Sequence, residues 1–262
     1  MFKSYDCSYR LKKKLKFECK KVRELNSKSS YMTKPSELRH EADLLRTKNS
    51  FKEAVSTYLN SVLMDRNNAQ SYLGLGICYK HLGRIKKAIS SLEKAALLDK
   101  DNYEIFYELG LCHLKEETPC KAIKCFIHAV ELDPDNPEAV YQLGLAHEQA
   151  DEQDMAIMIY QKLIENSPNY LNAYLRKSQI LQKMELYRPA LELYKKAIKI
   201  CPDYSKAYFD IAHCLDKLGM QREAKRYYHK FLELQPNNEN ANLVMKRIEK
   251  LRKPKCTNLS LV

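Results

Sequence analysis

The sequence has no tryptophan and only 6 glycines among its 262 residues. At an average usage of about 7%, a chain of this length would hold roughly 18 glycines. Glycine supplies the left-handed backbone conformations that tight turns need, and it weakens helices. Its scarcity therefore argues against a fold with many tight turns and favours long helices.

Other absences exclude whole classes of protein. No stretch approaches the roughly 18 apolar residues of a membrane-spanning helix, and residues 1–34 contain no apolar run of the length that a secretory signal needs. The nine cysteines include no CxxC pair, so we expect free thiols in a reducing, cytoplasmic setting. Phosphate-binding loops, dinucleotide fingerprints and nucleophile elbows are also missing. We therefore expect no enzyme activity, no cofactor, no metal and no small-molecule substrate.

The net charge of +12 is concentrated at the two ends of the chain. Residues 1–34 hold 11 Lys and Arg against 3 Asp and Glu, and residues 246–256 hold 6 against 1. The chain between these segments is nearly neutral. Attraction to nucleic acid or to an anionic membrane is therefore expected only through the basic ends.

What the sequence does contain is a period of 34 residues. Alanine recurs at this interval, at Ala54, Ala88, Ala122, Ala156, Ala190 and Ala224. Proline does the same at Pro134, Pro168, Pro202 and Pro236. With residue 35 as position 1, six units follow without insertions: 35–68, 69–102, 103–136, 137–170, 171–204 and 205–238.

Within each unit the apolar residues follow two helical stripes, at positions 4, 8 and 11 and at positions 20, 24 and 27. Each unit is therefore predicted to form two helices, joined by a turn near position 15, where Gly83 and Gly219 fall. Positions 8 and 20 hold small residues, which indicates that the two helices cross closely there. The large residues at positions 4 and 24 would fill the space beside the crossing.

These units resemble the tetratricopeptide repeat, a 34-residue helix–turn–helix with the pattern W-x2-L-G-x2-Y, A-x3-F and P. The third unit reads F-Y-E-L-G-L-C-H, then A-I-K-C-F, then P. The resemblance covers residues 35–238, although no tryptophan occupies position 4 and Glu41 and Lys177 replace an apolar residue at position 7. It implies an all-α, right-handed solenoid whose first helices line a concave groove that binds segments of other proteins.

The segments flanking the repeats have their own predicted structures. Residues 239–253 read as a charged amphipathic helix that caps the last repeat, and residues 254–262 read as a flexible tail. Residues 1–34 form a basic arm, in which residues 11–25 are amphipathic. Its basic residues include Lys12, Lys13, Lys14, Lys16, Lys20, Lys21 and Arg23. Three interpretations of the arm stay open: it binds an anionic surface or nucleic acid, it folds back on the solenoid, or it is a solvated tail.

The family resemblance places positions 2, 5, 9, 12 and 13 of each first helix in the groove, where this sequence carries an apolar stripe at positions 5, 9 and 12. The stripe comprises Leu73, Ile77, Tyr107, Leu111, Leu114, Tyr141 and Leu145, with Leu175 and Phe209 continuing it. Such a stripe is typical of an interaction surface; the alternative is that these side chains only pack on neighbouring helices. In the two sets of three consecutive repeats compared, those starting from the first and from the third repeat, the full combination of Lys, Asn and Arg residues with which related co-chaperones grip a carboxylate does not occur.

We therefore predict a non-catalytic scaffold that binds an extended or helical peptide of another protein, apolar or amphipathic, in this groove. Glu104, Glu138 and Glu148 lie beside the stripe, which favours protein ligands over RNA. The alternative is a repeat protein that binds RNA or an anionic surface through its basic ends. His113, His147 and Cys112 are better explained as core residues than as metal ligands.

Overall fold

The computed structural model describes residues 34–239 and 241–251, and within these ranges the chain forms thirteen helices and no strand. The predicted all-α architecture is thus confirmed. The basic arm, apart from Lys34, and the predicted tail lie outside the described residues. Along the described ranges, every helix is too short or too polar to cross a membrane.

The helices come in pairs that follow the 34-residue period. They are α1 Pro35–Thr47, α2 Phe51–Met64, α3 Ala69–His81, α4 Ile85–Leu98, α5 Tyr103–Lys115, α6 Pro119–Leu132, α7 Pro137–Gln149, α8 Gln153–Asn166, α9 Leu171–Lys183, α10 Tyr187–Ile200, α11 Ser205–Lys217, α12 Gln221–Leu234 and α13 Ala241–Lys250. The odd-numbered helices from α1 to α11 are the first helices of their repeats, and the even-numbered helices are the second. The helix α13 follows the sixth repeat and buries Ala241, Val244 and Ile248.

The described residues fall into two compact units, divided between Asn67 and Asn68. In the first unit, α1 and α2 pack as a hairpin around Ala42, Ala54 and Tyr58, which are fully buried. The Tyr58 hydroxyl donates a hydrogen bond to Asp43 across the hairpin. In the second unit, each helix from α3 to α13 packs against the next along the chain, which is the arrangement of an α-solenoid.

The turn inside every repeat uses the same backbone device at position 15. Residues with positive φ lie there in all six repeats: Asn49, Gly83, Glu117, Asp151, Glu185 and Gly219. In the second repeat, Gly83 N–H bonds to Lys80 O at 3.1 Å and Arg84 N–H bonds to Tyr79 O at 2.8 Å. This pair of bonds is the Schellman motif, in which N–H groups just beyond a helix donate to its last carbonyl oxygens. The glycines marked two of these turns in the sequence, whereas the other four have side chains in the left-handed region.

The two helices of each repeat touch through a close crossing. All six alanines at position 20 are fully buried. At position 8, a Cβ atom added to Gly110 would lie 2.7 Å from the Phe126 ring, and one added to Gly144 would lie 2.5 Å from the Tyr160 ring. These glycines are therefore needed for space. In the second to fourth repeats the large residue at position 24 lies directly over the first helix at its glycine, which agrees with the close crossing predicted from the small residues.

Among the described residues of the second unit, the carboxylates of Glu108 and Asp210 belong to buried residues. Glu108 is paired with Lys80, whereas Asp210 on α11, which is 8% exposed, forms no hydrogen bond or ion pair within the described part of the chain. Burial raises the pKa of the Asp210 carboxyl to about 6, against a small opposing effect of Lys206 one turn earlier. The charged form of this carboxylate therefore destabilises the fold.

We predict that Ala122→Leu on α6 lowers the free energy of unfolding by roughly 1–3 kcal/mol, because a larger side chain cannot fit in the close crossing. Urea unfolding followed by circular dichroism measures the change. Lys124→Leu introduces the same side chain at an exposed position two residues along the same helix, and it should change stability by no more than about 0.5 kcal/mol. Equal urea midpoints for Ala122→Leu and the parent would show that position 20 is not a crossing point.

We also predict that Asp210→Asn stabilises the protein in a pH-dependent way. The carboxyl titrates near 4 when unfolded and near 6 when folded, so its cost is small below pH 4 and grows until the pH exceeds 6. Removing the charge should add about 1–3 kcal/mol of stability at pH 7.5 and less than half of that gain at pH 4.5. Thermal unfolding of the variant and the parent at both pH values measures the difference. A gain that is the same at both pH values would show that the charge is not its source.

Candidate functional site

The nine residues predicted to line the groove lie on the first helices of the second unit and fall into two groups by exposure. Leu73, Ile77 and Leu175 are buried, with 3–5% of their surface exposed. The other six are half-buried: Tyr107, Leu111, Leu114, Tyr141, Leu145 and Phe209. Only the second group offers surface to a partner, while the first group lies in the core beneath it.

The half-buried aromatic residues at position 5 rest on the buried rings at position 24 of the same repeat. The ring centroids of Tyr107 and Phe126 are 6.0 Å apart with the planes at 65°, and Tyr141 lies 6.0 Å from Tyr160. Phe209 continues the pattern in the sixth repeat. Contacts of this kind contribute about 0.5–1.5 kcal/mol beyond the burial of area. The position 5 rings are thus held in fixed orientations and still keep part of their surface exposed.

Charged pairs connect neighbouring first helices along the same surface. Lys80 at position 12 of the second repeat pairs with Glu108 at position 6 of the third. In the same way, Arg176 binds Glu148 with two hydrogen bonds of 2.9 and 2.7 Å. The Tyr160 hydroxyl also donates to Glu148 at 2.6 Å, and burial, together with this carboxylate, raises the pKa of Tyr160. These bonds fix the register of one repeat on the next.

Between these two charged pairs lies a surface rich in tyrosine and glutamate. We call it the tyrosine–glutamate patch, and it consists of Tyr103, Tyr107, Tyr141, Tyr170, Glu104 and Glu138. Glu104 is included because it occupies position 2 of α5, the position that Glu138 occupies on α7. The Tyr141 and Tyr170 ring centroids are 5.5 Å apart. The Tyr170 hydroxyl donates to Glu138 Oε2 at 2.6 Å, and Gln142 Nε2 donates to the other oxygen at 2.9 Å. Tyr103 is 38% exposed. Burial, with the Glu138 and Glu108 carboxylates, raises the pKa of Tyr107 to about 12.

Sequence reasoning missed Tyr103 and Tyr170, because neither occupies a position assigned to the groove. Position 34 in the first three repeats is asparagine, and Asn68, Asn102 and Asn136 each cap the following helix through their side chains. Tyr170 replaces this asparagine and makes no such cap. The loss of a capping asparagine, which typically contributes about 1 kcal/mol, was a signal in the sequence, but Tyr204 shares it at position 34 of the fifth repeat, so it did not single out Tyr170.

The histidines and cysteines considered as metal ligands are core residues in the structure. His113 Nδ1 lies 3.0 Å from the Thr118 hydroxyl, and His147 Nδ1 lies 2.6 Å from Glu152 Oε2. Cys112 is fully buried, and burial raises the pKa of its thiol to about 11. Over residues 34–239 and 241–251, no three His, Cys, Asp or Glu side chains form a cluster that could hold a metal ion.

Comparison with family models identifies the repeats. Three tetratricopeptide-repeat models match residues 69–102, 121–151 and 138–170. A further model, described as Regulator of microtubule dynamics protein 1-3, matches residues 182–255. No curated protein sequence matches the chain significantly.

Solved structures share the architecture at low sequence identity. PilF of Pseudomonas aeruginosa is 15% identical with a TM-score of 0.65, over 81% of this chain and 97% of PilF. YrrB, described as a TPR protein with an unusual peptide-binding site, is 17% identical with a TM-score of 0.61, over 72% of this chain and 97% of YrrB. One chain of the APC/C hetero-tetramer Cut9–Hcn1 is 18% identical with a TM-score of 0.58, over 82% of this chain and 42% of that chain. At these identities the likeness shows the fold, and together with the repeat models and the 34-residue period it leads to one conclusion. The chain belongs to the tetratricopeptide-repeat family.

Proposed function

We propose that the chain is a non-catalytic scaffold that binds an apolar or amphipathic peptide segment of another protein in the groove of its second to fourth repeats. The observation that carries this proposal is the packing and partial exposure of Tyr107 and Tyr141. Each ring packs on a buried ring beneath it and keeps part of its surface exposed. Rigid, partly exposed aromatic side chains lose little conformational entropy on binding, and binding energy often concentrates on them.

The fold supports a general role in protein interactions. The residues around Tyr107 and Tyr141 include Leu111, Leu114 and Leu145, all half-buried on α5 and α7. A surface of this composition favours a partner with apolar side chains. Among structures of the same fold, YrrB is described as having a peptide-binding site, and another is a chain of the APC/C hetero-tetramer Cut9–Hcn1. Both descriptions agree with the kind of function proposed here.

The alternative function, binding of RNA or an anionic surface through the basic ends, has no observation in its favour. The basic residues of the arm, from Lys12 to Arg23, lie outside the described residues. Of the basic residues at the other end, Arg247 on α13 is held by two hydrogen bonds of 2.6 Å to Asp216. The groove itself carries carboxylates rather than the cationic lining that a nucleic acid needs.

The proposed function is tested by replacing the two central rings with leucine. Because Tyr107 and Tyr141 also pack on Phe126 and Tyr160, leucine is chosen to keep the buried contact while removing the exposed part of each ring. Loss of a central aromatic anchor often costs about 2 kcal/mol of binding energy, or roughly thirty-fold in affinity. We predict that Tyr107→Leu with Tyr141→Leu loses the proteins that the parent chain captures from a native lysate, as compared by quantitative mass spectrometry.

A matched control uses two half-buried tyrosines outside the groove. Tyr208 and Tyr227 also form a ring pair, with centroids 6.3 Å apart, and Tyr208→Leu with Tyr227→Leu should leave capture unchanged. Thermal unfolding of both double variants checks that each remains folded. Full capture by a folded groove variant, or an equal loss in the control, contradicts the proposed function.

A further inference from the structure

The charges of the tyrosine–glutamate patch are not balanced within the described part of the chain. Of the carboxylates that act on its tyrosines, Glu108 and Glu148 are paired with Lys80 and Arg176. Glu104 forms no ion pair in the described structure, and Glu138 accepts hydrogen bonds only from neutral groups. The patch therefore contains two carboxylates that form no ion pair within the described residues.

The aromatic rings in the patch also favour a positively charged ligand. The face of a tyrosine ring carries partial negative charge and attracts Lys or Arg within about 6 Å. Tyr141 and Tyr170 lie side by side with their ring planes at 52°, and Tyr170 also holds Glu138 in place through its hydroxyl. Ring faces and a fixed carboxylate therefore lie together at one point of the groove. Burial is the main cause of the raised pKa of Tyr107, and the Glu138 and Glu108 carboxylates add to it. Burial and Glu138 also raise the pKa of Tyr141, and the Arg176 charge opposes this rise.

The apolar residues next to the patch define the rest of the ligand. Leu111 on α5 and Leu145 on α7 are half-buried on the same helices. A partner that contacts both surfaces needs apolar side chains for the leucines and a cation for the patch. An acidic or carboxylate-bearing ligand would instead meet two unpaired carboxylates, and such like-charge contact opposes binding.

Resting on the proposed function, we propose that the peptide bound in the groove is basic and apolar, and that a Lys or Arg side chain of the partner docks on the tyrosine–glutamate patch against Glu104 and Glu138. The carboxylates provide charge pairing, and the rings of Tyr141 and Tyr170 provide a cation–π surface. The patch then selects partners by charge, while the leucines and the rings of Tyr107 and Tyr141 supply the apolar contact.

The net charge of the chain makes the test stringent. Because the whole chain carries +12, long-range attraction favours an acidic peptide over a basic one. The probes are two fluorescein-labelled synthetic helical peptides with leucine at the same positions and either lysine or glutamate at all others. Fluorescence anisotropy at physiological ionic strength measures their affinities for the full chain. We expect the leucine–lysine peptide to bind at least ten-fold more tightly than the leucine–glutamate peptide.

Two double variants, each with two carboxylates neutralised, show which carboxylates cause the preference for the leucine–lysine peptide. Glu104→Gln with Glu138→Gln removes the two charges of the patch and should weaken the leucine–lysine peptide about ten-fold or more. Glu131→Gln with Glu165→Gln removes the same total charge from exposed positions on the second helices α6 and α8 and should leave its affinity within about two-fold. Equal losses in both variants would mean that net charge alone acts, which overturns the proposal.

The same titrations separate this inference from the proposed function. If the leucine–lysine peptide binds the Glu104→Gln/Glu138→Gln variant as tightly as the parent but not the Tyr107→Leu/Tyr141→Leu variant, the groove binds peptides and the charge selection is refuted. Failure of the leucine–lysine peptide to bind the parent overturns the inference directly, while lysate capture still tests the groove. Sedimentation can also show that the parent self-associates and that the Glu104→Gln/Glu138→Gln variant does not. That result would identify a second copy of the chain as the occupant and would overturn the inference.

Discussion

The close crossing of the two helices within each repeat is the constraint on which the other features of the second unit depend. With glycine at position 8, the side chain at position 24 lies against the backbone of the first helix, as Phe126 does at Gly110 and Tyr160 does at Gly144. Any larger residue at position 8 would displace these rings. The same rings support Tyr107 and Tyr141 from beneath. The glycines therefore set the orientation of the side chains that we assign to the groove.

Ion pairs connect neighbouring repeats, in addition to the helix packing within each repeat. The Lys80–Glu108 and Glu148–Arg176 pairs connect position 12 of one repeat to position 6 of the next. The corresponding positions of the third and fourth repeats are Leu114 and Gln142, and the tyrosine–glutamate patch occupies this gap. Glu108 and Glu148 are each bound to a cation, whereas Glu138 is hydrogen-bonded only to the neutral groups of Tyr170 and Gln142. The junction that bears the proposed docking point is thus one of two in the second unit that lack this ion pair, the other being the junction with Gln182 and Asp210 at these positions.

The architecture could be predicted from the sequence because a solenoid repeats the same local helix packing in every unit. The alanines at position 20 and the glycines at position 8 predicted a close crossing, and the structure buries them as expected. The left-handed residues Glu117 and Glu185 could not be found in this way, since only the Schellman hydrogen bonds force them into that conformation.

The candidate site was predicted less completely than the fold. Leu73, Ile77 and Leu175 carry the groove pattern but are buried, because the pattern gives the face of a helix and not the depth of a side chain within the packing. Tyr170 was missed for the opposite reason. It lies in a connection between repeats, and only the folded chain brings it within 5.5 Å of Tyr141.

The most direct test of the account is to observe which tyrosine rings change environment when a basic, apolar peptide binds. The chain can be prepared with ¹³C-labelled tyrosine, its ring signals assigned by single Tyr→Phe variants, and the leucine–lysine peptide added in steps. The account predicts that the ring signals of Tyr107, Tyr141 and Tyr170 shift together and saturate at the same peptide concentration, while those of Tyr208 and Tyr227 stay in place. Shifts confined to Tyr208, Tyr227 or other rings outside the patch would contradict it.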